Sequence, residues 1–187
     1  YSFFLEQLTS VSQMPVYFSQ AGSLMPSFSF PETWNERKEF FKSESIPHEL
    51  WDEKKVREKA PYLSKNCGEV MWVGEGQVNN RQLHDSLMAA SRKLGVQILE
   101  ENVSGFVREG SKVSAAVTGT SEVEGDQFVL ASGSWSGQLA KVLDVELPLK
   151  PIKGQMCRLK LEDHFLDYTI HGMMTYIAPW KEGNGFV

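Results

Sequence analysis

The sequence predicts a mixed α/β fold of the α+β kind, and three observations carry that expectation. Residues 80–94 repeat Leu83, Leu87, Met88, Ala90 and Leu94 mostly at spacings of three and four, the period of an amphipathic helix. Residues 103–107, 112–117 and 127–131 are short β-rich runs separated by Gly110 with Ser111 and by Gly125 with Asp126, which reads as an antiparallel meander and a return strand. The run FVLASGSWSG at 128–137 joins an apolar strand to a small-residue turn and a helical stretch, 136–143. Val129, Leu130 and Ala131 have the composition of a strand buried on both faces, and Ser132, Gly133 and Ser134 remove bulk where it ends. In open α/β sheets a strand, a turn and a helix in this order place ligands at the carboxyl end of the strand.

The other elements follow in order. Phe3, Phe4, Leu5, Leu8 and Val11 have partly helical spacing, as at the end of a helix. Residues 16–25 alternate weakly around a break at Gly22 and Ser23, which suits a strand pair. Pro31 precedes a helical stretch, 32–42, whose apolar residues are Trp34, Phe40 and Phe41. Asp52 is placed to cap a short helix that Pro61 stops. Asn79 caps the 80–94 helix, and Gly95 supplies its left-handed stop. Residues 96–99, 155–161 and 169–179 read as further strands.

Composition bounds the function classes. The chain has 187 residues, 41% of them hydrophobic and 11% aromatic, enough to fill a core in one or two domains. Its 24 acidic and 19 basic residues are interspersed, which argues against a nucleic-acid surface. No apolar run approaches the roughly 18 residues of a membrane helix, and no signal-peptide pattern opens the chain. Cys67 and Cys157 lack metal or redox spacing, so free thiols and a cytoplasmic location are expected. His48, His84, His164 and His171 show no metal-like spacing; His171 is a solvent-facing or satisfied histidine, or a substrate contact. The stretch GSWSG at 133–137 has the glycine spacing of a hydrolase nucleophile elbow but carries Trp135 where that motif needs serine.

Four segments in order carry a family resemblance: GEGQVNN at 74–80 before a helix, GVQI at 95–98, FVLASGSWSG with LPLKPIKGQ at 128–137 and 147–155, and YIAP with KEGNG at 176–179 and 181–185. Together they resemble the flavin-dependent amine oxidases of the D-amino-acid oxidase superfamily, in particular the glycine oxidase and sarcosine oxidase group. The likeness covers roughly residues 70 to 187; Asn80 stands where that family usually has proline. It implies a substrate-side antiparallel or mixed sheet with helices, plus part of an FAD-binding domain that includes the small meander. The implied division is 1–80 and 148–187 for the substrate side and 81–147 for the FAD side.

The resemblance also implies roles. Tyr176 matches the tyrosine that holds the substrate carboxylate; the residue-level alternative is an ordinary strand tyrosine. Met173 and Met174 would line the substrate pocket or simply fill core. Val103 matches a backbone contact to the adenine of FAD, though a strand valine is ordinarily core. Ser132, Gly133 and Trp135 match the stretch beside the dinucleotide, with Trp135 either on the cofactor side or anchoring the turn in the core.

A fingerprint G-x-G-x-x-G between a strand and a helix is absent from the sequence, as is its acidic partner about 20 residues on. The chain is therefore expected to be the middle of a longer enzyme that oxidises the C–N bond of an amino acid or secondary amine (glycine, sarcosine or a D-amino acid). This part alone should be inactive and bind FAD weakly or not at all. The substrate-binding arginine should lie beyond Val187, and a homo-oligomer stays open. Two alternatives remain: a superfamily member acting on a 2-hydroxy acid, glycerol phosphate or a modified tRNA base, and a noncatalytic association module.

Overall fold

The computed structural model describes residues 1–159, 166–179, 181–182 and 185–186. In chain order the elements are α1 (Ser2–Ser12), β1 (Phe18–Ser19), β2 (Ser23–Pro26), α2 (Trp34–Ser43), β3 (His48–Trp51), α3 (Glu53–Lys59), β4 (Val70–Val73), β5 (Gln77–Val78) and α4 (Asn80–Lys93). They continue with β6 (Gly105–Glu109), β7 (Lys112–Val117), β8 (Glu122–Glu124), α5 (Ser136–Lys141), β9 (Thr169–His171), β10 (Tyr176–Ile177), β11 (Lys181–Glu182) and β12 (Gly185–Phe186). Helices and several sheets alternate irregularly along the chain, which is the mixed α/β class read from the sequence. Two compact units result: Tyr1–Val96 with Arg158–Val187, and Gln97–Cys157.

The first unit is organised by a five-stranded sheet of order β10-β9-β2-β4-β3. All neighbours are antiparallel except β2 and β9, which run parallel, so the sheet is mixed. The alternation of strand side chains separates two cores. Leu24 and Val70 face one way and pack with Trp51, Val56, Ala60 and Cys67. Met25, Met71 and Val73 face the other and pack with Phe30, Trp34 and Phe41. Because both faces are covered, all four residues of β2 are buried. Phe40 is exposed, one position off the apolar stripe of α2 that Trp34 and Phe41 define.

Local signals set the helix boundaries. Asp52 Oδ1 accepts from the Lys55 amide at 2.8 Å and Asn79 Oδ1 from the Gln82 amide at 3.0 Å, each satisfying an orphan donor of the first turn. Gly95, at φ +82°, ends α4. This helix packs on α1 through Leu5, Leu8 and Ala90, with Leu83 and Phe18 alongside. A buried Ser12–Ser86 hydroxyl pair at 2.7 Å joins the two helices where side chains larger than serine would hold them apart. Leu87 and Leu94 lie outside this contact and are exposed.

The second unit contains the antiparallel meander β6-β7-β8, with a bulge between Val107 and Arg108, followed by α5. Its buried apolar residues are Ala115 and Ala140. Three expected strands require correction: 96–99, 127–131 and 155–159 are not strands, while the last two positions of the third, Lys160 and Leu161, lie outside the described residues. The expected burial of Val129 and Leu130 fails with them, since Val129 is 90% exposed. A strand is defined by its ladder, and among the described residues no neighbouring strand pairs with these runs, so their β-rich composition has nothing to act on. The single expected strand over 169–179 is instead the hairpin β9–β10, broken at Gly172, whose amide donates to the Thr175 carbonyl at 2.7 Å.

Candidate functional site

In the first unit a cavity of about 240 Å³ opens at the β9–β10 edge of the sheet, lined in part by Glu75, Gln77, Asp167, Thr169, His171 and Tyr176. Period-two geometry builds it. Thr169 and His171 are two apart on β9 and share a face, as do Glu75 and Gln77 on the chain entering β5. The pairs meet: Thr169 Oγ1 donates to Gln77 Oε1 at 2.9 Å, and His171 Nε2 lies 2.9 Å from Glu75 Oε1. Gln77 also donates to the Pro179 carbonyl, tying the chain after β10 to the same wall. Gly76 sits between the two carboxylate- and amide-bearing residues because a Cβ there would stand 2.5 Å from the Phe18 ring.

Tyr176 is the register partner of His171 across β10 and β9, and the rings stack with centroids 6.1 Å apart and planes 26° apart. The expected substrate contact Tyr176 thus lines the cavity, with 57% of its surface exposed. Met174 does not line it; together with Met173 it sits at the β9–β10 turn, 92% exposed, so neither methionine fills core. Glu75, Gln77 and Thr169 were not singled out from the sequence. Alternation at 75/77 and 169/171 is the signal that marks them, but it is only two residues long on each side. Their meeting across 92 and 96 positions depends on strand order.

The expected cofactor residues all fall in the second unit. Val103 is half-buried just before β6. The chain on either side is held, by Ser104 donating its amide to the Val117 carbonyl at 2.8 Å and by Thr120 donating its hydroxyl to Glu101 at 2.8 Å. Hydrogen bonding from Thr118 and then Thr120 holds the Glu101 carboxyl below its ordinary range. Ser132 and Gly133 open the 3-10 turn that leads into α5, with the Ser132 and Ser136 hydroxyls 3.1 Å apart. Gly133 has φ +54°, and space for a Cβ is open around it. Trp135 is 66% exposed, which removes the reading that it anchors the turn in the core. Small residues, a left-handed glycine and an uncovered indole together leave the backbone and ring surface of this turn open.

Among the described residues no group of three His, Cys, Asp or Glu could hold a metal ion, and no helix is long and apolar enough to cross a membrane. Both cysteines are free thiols, Cys67 buried and Cys157 exposed.

Known proteins resemble this chain along most of its length. Glycine oxidase of Pseudomonas aeruginosa is 36% identical over 117 residues, 62% of this chain and 32% of that protein. The bifunctional protein ThiO/ThiG of Synechocystis is 29% identical over 191 residues, covering 98% of this chain and 27% of that protein. The chain therefore spans about a quarter to a third of the curated relatives it matches. In fold it is similar to the crystal structure of glycine oxidase from Bacillus cereus, with a TM-score of 0.85 at 21% identity, over 99% of this chain and 52% of that one. Glycine oxidase from Geobacillus kaustophilus gives a TM-score of 0.86 at 20% identity, over 95% and 49%. The sequence profile described as FAD dependent oxidoreductase matches residues 3–187, and the chain belongs to that family.

Proposed function

We propose that this chain is the central part of an FAD-dependent oxidoreductase that oxidises the C–N bond of a small amino acid or secondary amine, of the glycine, sarcosine or D-amino-acid kind. The observation that carries the reading is the cavity at the β9–β10 edge, where the phenol of Tyr176 stands beside polar groups held by one another. Glycine oxidase relatives and neighbours support the amine class, as does the iminodiacetate oxidase of Chelativorans, similar in fold at a TM-score of 0.62.

In this reading residues 1–80 and 148–187 form the substrate side and 81–147 the FAD side of the longer protein. Tyr176 donates its hydroxyl to the substrate carboxylate. The chain around Val103 and the turn of Ser132, Gly133 and Trp135 would hold FAD, which when bound supplies the acceptor for the hydride taken from the carbon next to nitrogen. The protein's own work is then to bind, orient and keep water from the reacting carbon, which explains why an acid–base dyad is not needed. Without a fingerprint turn at a helix N-terminus, the 187-residue chain alone should hold the pyrophosphate poorly and be inactive.

Flavin absorbance and FAD titration of the longer protein, beside the 187-residue chain, test the proposal. Yellow longer protein that glycine or sarcosine bleaches under anaerobic conditions is the expected result, with a colourless short chain. A longer protein that never binds flavin, or whose bound flavin no amine reduces, would overturn it.

A further inference from the structure

We propose that Glu75 and His171 act as a positioning pair that sets the Tyr176 hydroxyl for the carboxylate of its ligand. This rests on the reading of the cavity as the substrate site. Tyr176 begins a strand of two residues at the edge of the sheet, and β9 is its ladder neighbour there. So short a ladder fixes the backbone of Tyr176 more firmly than its half-exposed ring, whose direction depends on what the ring lies against. It lies against the His171 imidazole, stacked at 6.1 Å.

The imidazole is held in turn. Its Nε2 meets Glu75 Oε1 at 2.9 Å, and Glu75 stands on chain anchored to the buried strand β4. The Glu75 amide donates to the Val73 carbonyl at 2.9 Å, and the preceding Gly74 amide donates to the Pro47 carbonyl at 2.8 Å. A continuous path of contacts thus runs from the core through Glu75 and His171 to the phenol. Side-chain exposures of 44% for Glu75 and 34% for His171 make the pair a weak stabiliser of the fold, so its value lies in orientation. Asp167 is the other carboxylate lining the cavity. A purely electrostatic role for Glu75 toward the ligand therefore has a neighbour of the same charge and must be separated by experiment.

The separation uses the longer flavoprotein, with steady-state kinetics on glycine and sarcosine and titration with acetate, a carboxylate that carries no amine to oxidise. Glu75→Ala and His171→Ala are each expected to raise KM, and to weaken acetate binding, about three- to tenfold with kcat within about twofold. Glu75→Gln, which keeps an acceptor for the imidazole without the charge, should recover most of the loss. His171→Ala combined with Glu75→Ala should be no worse than either alone. In a Tyr176→Phe background Glu75→Ala should change neither KM nor acetate affinity by more than about 1.5-fold, because the hydroxyl it positions is gone. An effect of equal size in Glu75→Gln and Glu75→Ala that survives in Tyr176→Phe would overturn the proposal in favour of a direct charge effect. So would unchanged KM and acetate affinity in Glu75→Ala. If the wild type oxidises no amine yet binds acetate with this same Tyr176-dependent pattern, the amine reading fails while the positioning pair stands.

Discussion

The two units bury their apolar residues in different ways. In the first, Leu24, Val70 and Met71 are sealed between helices on both faces of one sheet, and every long strand has its partners. The second contains a three-stranded meander and two runs expected as strands, at 127–131 and 155–159, in which Val129 and Met156 lie open to solvent. Apolar composition is therefore not what separates core from surface here. What separates them is whether the described chain supplies the neighbouring strand that lets backbone and side chain be buried together.

Core truncation should show the largest contrast. Leu24→Ala in the 187-residue chain is expected to cost about 2–5 kcal/mol, since the side chain is fully buried and β2 is pinned from both sides. Val129→Ser in the same chain should stay within about 0.5 kcal/mol of wild type. Urea unfolding of both variants measures the pair of values. In the longer protein proposed above, Val129→Ser should become costly, because the missing neighbours would cover it. Equal small costs in both proteins would mean that 127–131 is a surface segment in the longer protein as well.

Next in size is the effect on the cavity. Tyr176→Phe in the longer protein should raise KM for the amine substrate about tenfold with kcat little changed, the loss of one hydroxyl donor to a carboxylate. The counterpart in the second unit, Gly133→Ala, meets no side chain but is strained by its positive φ. It should weaken FAD retention without altering KM for the amine. A Gly133→Ala protein that holds FAD as wild type does would separate the turn from the cofactor.

Helix caps provide a smaller contrast. Asn79→Ala removes the side-chain acceptor at the head of α4, where Asn79 is 1% exposed, and is expected to cost about 1 kcal/mol, or a few degrees in Tm. No side-chain cap hydrogen bond starts α5, so Trp135→Ala at its N-cap should leave stability near wild type. Thermal unfolding compares them directly.

These same residues mark what was legible in the sequence. Caps and stops are local, so Asp52, Asn79 and Gly95 announced α3 and α4 within a residue or two. The meander was legible through its turn residues, Gly110 and Ser111, although the third strand, Glu122–Glu124, was not, because one valine between two glutamates carries no periodic signal. Residues 96–99 and 127–131 misled for the opposite reason: their composition speaks of burial, and burial depends on partners that no local window contains. At the cavity Tyr176 was found by resemblance to a motif. Glu75 and His171 were not joined until strand register placed them together across 96 positions.

The smallest expected effect distinguishes carboxylates in the two units by pH. In the first unit Trp34 Nε1 donates to Glu69 Oε2 at 2.7 Å, and this bond, helped by Lys38 at 3.4 Å, holds the Glu69 carboxyl below its ordinary value of 4.5. A depressed carboxyl favours the charged form in the folded state. Its contribution is full above pH 4.5 and is lost as pH falls below that value through the folded-state titration. With the glutamate side chain 57% exposed, solvent screening limits the contribution to about 1 kcal/mol or less. Glu69→Gln should therefore flatten the acid limb of a Tm-against-pH curve while lowering Tm slightly near neutrality. Glu101 of the second unit is shifted in the same direction by threonine hydroxyls, but it is fully exposed and its partners are on the meander. Carboxyl titration followed by NMR should show both groups ionising early, whereas only Glu69→Gln moves the unfolding curve of the packed sheet. If Glu101→Gln moves that curve as much, unfolding of the two units is coupled, and the contrast between a sealed unit and an open one does not extend to their stability.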